Sequence, residues 1–310
     1  MHIALFYWGR LPVAEYGGTQ RMAVYLARGL AAAGHRVTLI ASPGSRVPEA
    51  TLVPVATEVA RSPAFRIEPH LPPGLDLLLS LVELRAPPAT PWIWRLAGKR
   101  KAGHPTPVNT IHLSADHAHR HGGRAFVYNG IDPADFRFRR DKGDYDLFLG
   151  RLQRVKGAHW AAEGAKRLRR RLIVAGGWRP SFSRWVRYTG GVGGERKAEL
   201  LAGARCLWMP ALWDEPFGIT LIEALVSGTP VLGTRRGSLP EVISPEVGAL
   251  AGSLEELVAL RPTLDRIDPD ACRARVERHF THHAMAAGYL RMFRHYLATG
   301  SLPAGETITA

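Results

Sequence analysis

Cysteine, lysine and long apolar runs are scarce in this chain. Its 310 residues include two cysteines, Cys206 and Cys272, too few for a disulfide framework and in no metal-binding spacing. Cys206 falls in the apolar run from Cys206 to Met209 and reads as a buried strand residue. No stretch approaches the roughly 20 apolar residues that span a bilayer. The run from His2 to Trp8 is too short for a signal-peptide core and lacks a basic leader. A cytoplasmic protein is expected, with any membrane contact peripheral. Acidic residues are also few, 27 against 41 basic, and only six of the basic ones are lysine, giving a formal charge of +14. Such a balance suits an anionic ligand, an anionic membrane face or nucleic acid. No DNA- or RNA-binding motif accompanies it, so nucleic acid is not an expected partner. No G-x-x-x-x-G-K-[ST] occurs, and the glycines at 190–194 do not space as G-x-G-x-x-G. A P-loop is thereby excluded and a nicotinamide or flavin enzyme disfavoured.

What is present is strand–helix alternation, given twice. His2 to Tyr7 predicts a buried strand, and a helix follows from about Gly18. Its Ala23, Leu26, Ala27 and Leu30 form one apolar face. Gly34 stops that helix and Val37 to Ala41 is the next strand. From Pro43 to Pro73 the chain is Pro-rich and poorly periodic, with short strands at most. Leu75 to Leu81 and Val108 to Leu113 are further strand candidates. A second unit restarts at Asp146 to Leu149, followed by a helix with Ala158, Ala161, Ala162 and Ala165 on one face. Leu172 to Ala175, Arg205 to Met209 and Pro230 to Leu232 supply more strands. Alternation of this kind predicts an α/β protein with parallel sheets covered by helices, here two Rossmann-like doubly wound domains with a cleft between them. The boundaries are placed at residues 1–132, 133–281 and a final crossing helix with its tail, 282–310.

The segment Trp208 to Ile243 carries the most chemistry. Glu215 and Glu223 stand in it with seven residues between them. Glu215 precedes Pro216, which biases it away from a helix, and Phe217 to Val226 reads as a helix opened by that proline. Glu215 then faces the helix mouth and Glu223 lies about two turns inside. Between them the amides of Gly218, Ile219, Thr220 and Leu221 make an anion site backed by the helix dipole. Hydroxyls at both ends and a diphosphate in the middle, as in a nucleotide-sugar, would fit that arrangement.

This segment resembles the donor-binding core of retaining GT-B glycosyltransferases, family four of that class (glycosyl transferases group 1). Three other stretches resemble the family in order: Y-D-L-F-L-G-R-L-Q-R-V-K-G from Tyr145, F-V-Y-N-G-I-D from Phe126, and A-E-Y-G-G-T-Q-R from Ala14. The resemblance implies a GT-B architecture and a retaining, metal-independent hexosyltransferase that needs no cofactor. The donor would be UDP-glucose or another UDP-hexose first and GDP-mannose second. The acceptor, a small molecule or a glycan, is not identified. It implies further that Arg151 and Lys156 clamp the diphosphate, Glu223 holds the ribose and Glu215 the transferred sugar. Glu215, Arg151 and Lys156 thus become the catalytic candidates. Gly17 and Gly18, whose backbone can approach a phosphate, join the donor contacts. Gly191 and Val192, in the loop Gly190 to Gly194, would lie over the base. Pro216, Phe217, Gly218, Ile219, Thr220 and Leu221 complete the set.

The N-terminal half departs from the family pattern. Where the family places His-Gly after a strand, the segment from Pro91 to Lys101 shows Ala97-Gly98. His112 is the nearest substitute as a catalytic imidazole. If Ser114 to Ala118 begins a helix, however, His112 lies inside a strand. The departure leaves room for a non-catalytic nucleotide-sugar binding protein. Asp144 and Asp146 form a D-x-D that leads into a strand instead of following one, so no metal is assigned to it. His117, His119 and His121 crowd beside Asp116 without a matching ligand set.

Overall fold

In the computed structural model, residues 1–12, 17–100 and 104–308 are described. The motif that begins at Ala14 is therefore seen only from Gly17 onward. The chain divides into two compact units. Met1–Gly130 with Thr281–Thr307 makes the first, and Ile131–Phe280 makes the second.

The first unit holds a six-stranded sheet of β1 (His2–Phe6), β2 (Arg36–Ala41), β3 (Thr51–Pro54), β4 (Leu77–Ser80), β5 (Trp92–Arg95) and β6 (Thr110–Ile111). Its order is β3-β2-β1-β4-β5-β6, parallel throughout. Central strands of such a sheet are covered on both faces and so read as continuous apolar runs. All five residues of β1 are buried, whereas the edge strand β3 is partly exposed. Helices α1 (Gly18–Ala32), α2 (Thr57–Arg61) and α3 (Ala115–Arg120) belong to this unit. The predicted face of α1 is realised, with Ala23, Leu26, Ala27 and Leu30 at most 1% exposed. Each leucine buried in this way contributes about 1.5–3 kcal/mol. The stretch from Pro43 to Pro73, expected to hold strands at most, forms β3 and also the short α2, whose Ala60 reaches the core beside Phe6 and Ile67. One small apolar contact is enough to seat a five-residue helix that periodicity cannot reveal.

The second unit repeats the plan with β7 (Tyr145–Leu149), β8 (Arg171–Ala175), β9 (Val186–Tyr188), β10 (Leu207–Met209), β11 (Val231–Thr234) and β12 (Gly248–Ala251). The order β12-β11-β10-β7-β8-β9 is again fully parallel. Its helices are α4 (Ala158–Arg167), α5 (Gly194–Gly203), α6 (Ile219–Val226), α7 (Leu239–Val242), α8 (Leu254–Leu260) and α9 (Pro269–His279). The four alanines of α4 pack with Phe148, Trp208 and Leu232 in one core. Beneath that core Asp146 is 1% exposed and Arg261 fully buried, joined at 2.5 and 2.7 Å. The Trp208 indole N–H donates to the same carboxylate at 2.9 Å. Each sheet has the doubly wound order, in which the connections turn in opposite directions on either side of one central pair. Those pairs are β1–β4 and β7–β10.

The last helix, α10 (His282–Thr299), belongs to the first unit and packs along α1. Gly29 permits the approach, since a Cβ there would meet the His282 carbonyl oxygen at 2.4 Å.

Candidate functional site

Ligands of doubly wound sheets bind beyond the carboxyl ends of the strands, where the connections diverge. In the second unit that point lies between β7 and β10. The loop leaving β7 carries Arg151 and Lys156; the loop leaving β10 carries Glu215. The two are fastened together. The Leu212 N–H donates to the Val155 carbonyl at 2.8 Å. Gly157, at φ +77°, approaches so closely that a Cβ would stand 1.9 Å from the Pro210 carbonyl oxygen. Across this seam Lys156 Nζ meets the Glu215 carboxylate at 2.5 Å, and the same ammonium lies 4.5 Å from the centre of the Trp213 ring.

Glu215 is buried, and its carbonyl accepts the Ser238 N–H from the loop after β11. Pro216 and Phe217 are buried too, Phe217 edge-on to Phe280 at 5.9 Å. The helix α6 opens at Ile219, with Gly218 as its left-handed N-cap at φ +77°. The expected start at Phe217 thus shifts by two residues. Among the predicted anion-binding amides, that of Leu221 is already engaged, donating to the Gly218 carbonyl at 2.9 Å. The mouth of α6 is therefore formed by the amides of Gly218, Ile219 and Thr220. Glu223 is fully buried within α6, and its carboxylate meets Lys197 Nζ of α5 at 2.7 Å. Gly191 and Val192 lie in the loop between β9 and α5, Gly191 exposed and Val192 half-buried. Arg151 is exposed.

One end of the second sheet therefore gathers Arg151, Lys156, Gly191, Val192, residues 215–221 and Glu223. Two carboxylates bracket a helix mouth, each held by a lysine from a different element. A clamp of this kind offers acceptors for hydroxyls at its ends and N–H donors for phosphate between them.

Residues 145–260 match the family described as Glycosyl transferases group 1, a span that contains every one of these positions. The chain carries a glycosyl transferases group 1 domain. An uncharacterized glycosyltransferase of Methanocaldococcus jannaschii is 30% identical over 154 residues, 40% of this chain and 39% of that protein. AviGT4, a glycosyltransferase involved in avilamycin A biosynthesis, is 29% identical, with a TM-score of 0.80 over 97% of this chain and 99% of that one. HepE of Anabaena, in complex with UDP-glucose, shares the fold at 14% identity, with a TM-score of 0.65 over 96% of this chain and 100% of that one. The chain spans less than half the length of the curated relatives it matches.

Two partners in the group 1 domain escaped sequence reading. Lys197 carried no signal beyond its place in G-E-R-K-A-E-L-L, because only the fold brings α5 alongside α6. Trp213, just before Asp214-Glu215, supplies the ring beneath Lys156 and was readable only as an aromatic in a loop. Asp144 and Asp146 are accounted for by other contacts: Asp144 pairs with Arg171 at 2.8 Å, and Asp146 is the buried partner of Arg261. Among the described residues no three His, Cys, Asp or Glu side chains converge as a metal-ligand set.

The remaining candidates lie in the first unit. Gly17 is the N-cap of α1 and Gly18 its first residue. His112 does not fit the role of a catalytic group. It sits 1% exposed beside β6, bridged to Phe126, with its Nδ1 3.1 Å from the Ala125 carbonyl. Ser114 caps α3 by accepting the His117 N–H, the arrangement that places His112 in the sheet. The His112 ring lies 5.3 Å from that of His117 and 5.6 Å from that of His121. Burial, with the neighbouring histidines, lowers His112 to about 4 and His117 to about 3 against single backbone hydrogen bonds that act the other way. Both imidazoles are neutral core groups.

Proposed function

We propose that this chain is a retaining hexosyltransferase that takes its sugar from a nucleoside diphosphate donor bound at the β7–β10 end of the second unit. The observation that carries the reading is the pair of lysine-held carboxylates, Glu215 and Glu223, on either side of the α6 mouth. Glu223 would accept hydrogen bonds from the ribose hydroxyls and Glu215 from hydroxyls of the transferred sugar. The diphosphate would lie between them on the amides of Gly218, Ile219 and Thr220, with Arg151 and Lys156 as cationic partners. In the transfer step the acceptor oxygen bonds to the anomeric carbon as the bond from that carbon to the phosphate oxygen breaks. The leaving diphosphate takes the acceptor proton, and attack on the face it leaves retains configuration. Positive potential from Arg151, Lys156 and the helix mouth stabilises the charge that grows on the diphosphate. No imidazole is required, which agrees with a buried, neutral His112, and a bound cation need not be recruited.

UDP-glucose is the first donor to test. The W-D-E-P-F-G wording resembles the subgroup that transfers glucose to pterin or other small acceptors, and HepE, of the same fold, holds that donor. Incubation of the protein with UDP-glucose, in the presence and absence of candidate acceptors, should release UDP. A protein that binds the donor saturably and releases none is a binder and not a transferase.

A further inference from the structure

The connection between β8 and β9 is unusual for a parallel pair. Crossovers of this kind take a dozen or more residues and ordinarily contain a helix. Here residues 176–185 make the connection without one. Pro180 and two serine turns hold it as a loop: the Ser181 hydroxyl accepts the Ser183 N–H, and the Ser183 hydroxyl accepts the Trp185 N–H. Trp185 turns inward against the core of the second unit. Trp178 and Phe182 do the opposite: Trp178 is 70% exposed and Phe182 fully so. Large aromatic side chains held in water by a short loop cost free energy that a folded protein ordinarily avoids.

The surrounding charge has one sign. Between Glu163 and Glu195 the chain has eight basic residues and no Asp or Glu. Arg167, Arg170 and Arg171 are matched by carboxylates from elsewhere in the fold. Arg179, Arg184 and Arg187 are exposed and have no carboxylate partner among the described residues. Arg179 donates to the Leu152 carbonyl, and Arg184 lies 4.7 Å from the centre of the Trp185 ring.

We propose that the loop 176–185 docks the second unit on an anionic lipid bilayer, with Trp178 and Phe182 entering the interface and Arg179, Arg184 and Arg187 meeting the lipid headgroups. Exposed aromatic side chains projecting from a loop suit a fluid surface that needs no shape complement. The unmatched arginines of the loop and of β9 supply the charge attraction. The loop leaves the carboxyl end of β8 and returns to the amino end of β9, where the Leu172 N–H donates to the Trp185 carbonyl at 2.8 Å. Docking would therefore lay the β9 edge of the second sheet along the bilayer. The inference does not depend on the proposed transfer reaction.

Flotation of the full chain with vesicles of phosphatidylglycerol and phosphatidylcholine, against phosphatidylcholine alone, tests it. The chain should float with the anionic vesicles and not the neutral ones. Trp178→Ser with Phe182→Ser, or Arg179→Glu with Arg184→Glu, should each weaken that binding by about tenfold or more. All four positions are exposed, so the variants should keep the wild-type thermal transition. Cys206 and Cys272 are buried, so Phe182→Cys can carry an environment-sensitive dye whose emission should shift to the blue on anionic vesicles. No flotation, flotation unchanged in the aromatic pair, or a dye that stays in water would overturn the proposal. Equally tight, loop-dependent binding to a single-stranded oligonucleotide would assign the surface to stacked bases and overturn it as well.

Discussion

At the scale of single residues, the clamp is a division of labour among four side chains. Lys156 touches Glu215 and Lys197 touches Glu223, so each buried carboxylate has an ammonium group beside it. Arg151→Ala and Lys156→Ala should each weaken UDP binding by about 1.5–3 kcal/mol, the worth of a charge-assisted hydrogen bond. Uridine, which lacks phosphates, should respond little. Lys156→Ala should also lower the melting temperature, because it strands Glu215, whereas exposed Arg151→Ala should not. Calorimetric titration with UDP and uridine checks both variants, and unchanged UDP affinity in the double variant would put the diphosphate elsewhere. The two glutamates should separate by ligand. Glu223→Gln should weaken UDP itself, since the ribose is present in the product nucleotide. Glu215→Gln should leave UDP nearly unaffected and slow turnover of the nucleotide-sugar. Equal losses of UDP affinity in the two variants would refute the assignment.

At the scale of elements, the buried pair of Asp146 on β7 and Arg261 in the 3-10 turn after α8 ties the central strand of the second sheet to its far edge. Asp146→Ala strips the Arg261 guanidinium of its buried partner on Nε and Nη2 and leaves it the more exposed Asp265 at 2.8 Å on Nη1. It should therefore cost about 3 kcal/mol in urea unfolding, the low end of the range for breaking a buried pair from one side. A cost near that of a surface pair would show that the guanidinium finds water. The histidines around α3 make stability depend on pH. His112 and His117 are lowered to about 4 and about 3, while in the unfolded chain they titrate near the ordinary value of 6.5. As pH falls below about 6.5 the unfolded chain therefore binds more protons, so stability should drop between about pH 6.5 and pH 3–4. Unfolding midpoints measured at pH 7 and pH 5 should show that loss, and a smaller one in His112→Gln. Periodicity made α1, α4 and most long strands legible in advance, because a helix face or a run buried on both sides writes itself into the sequence. The short β9 and β12 were absent from that reading, since three or four residues hold too little pattern to separate from a loop, and β5 was read only through the family-like strand and loop of Pro91 to Lys101. The site was legible where one continuous segment carries it, from Glu215 to Glu223. It was illegible where two distant segments meet, as Lys197 and Glu223 do. His112 was ambiguous in the sequence: the resemblance made it the nearest substitute imidazole, while a helix start at Ser114 pointed to a strand. The structure has Ser114 as the cap and His112 1% exposed beside β6.

At the scale of the whole molecule, two parallel six-stranded sheets share one doubly wound order, and the group 1 match spans all six strands of the second sheet, including the end where Lys156 and Glu215 meet. Electrostatics at that point is supplied by side chains and by the mouth of α6, so donor binding should survive excess EDTA. Loss on chelation, with rescue by manganese or magnesium, would return Asp144 and Asp146 to consideration. The most direct measurement is calorimetric titration of the full chain with UDP, GDP, ADP and dTDP in EDTA, repeated with Glu223→Gln. Saturable one-to-one binding of UDP above the others, weakened in the variant, is the predicted result. No saturable binding of any diphosphate, or UDP binding indifferent to Glu223, would contradict a nucleotide-sugar site at the mouth of α6.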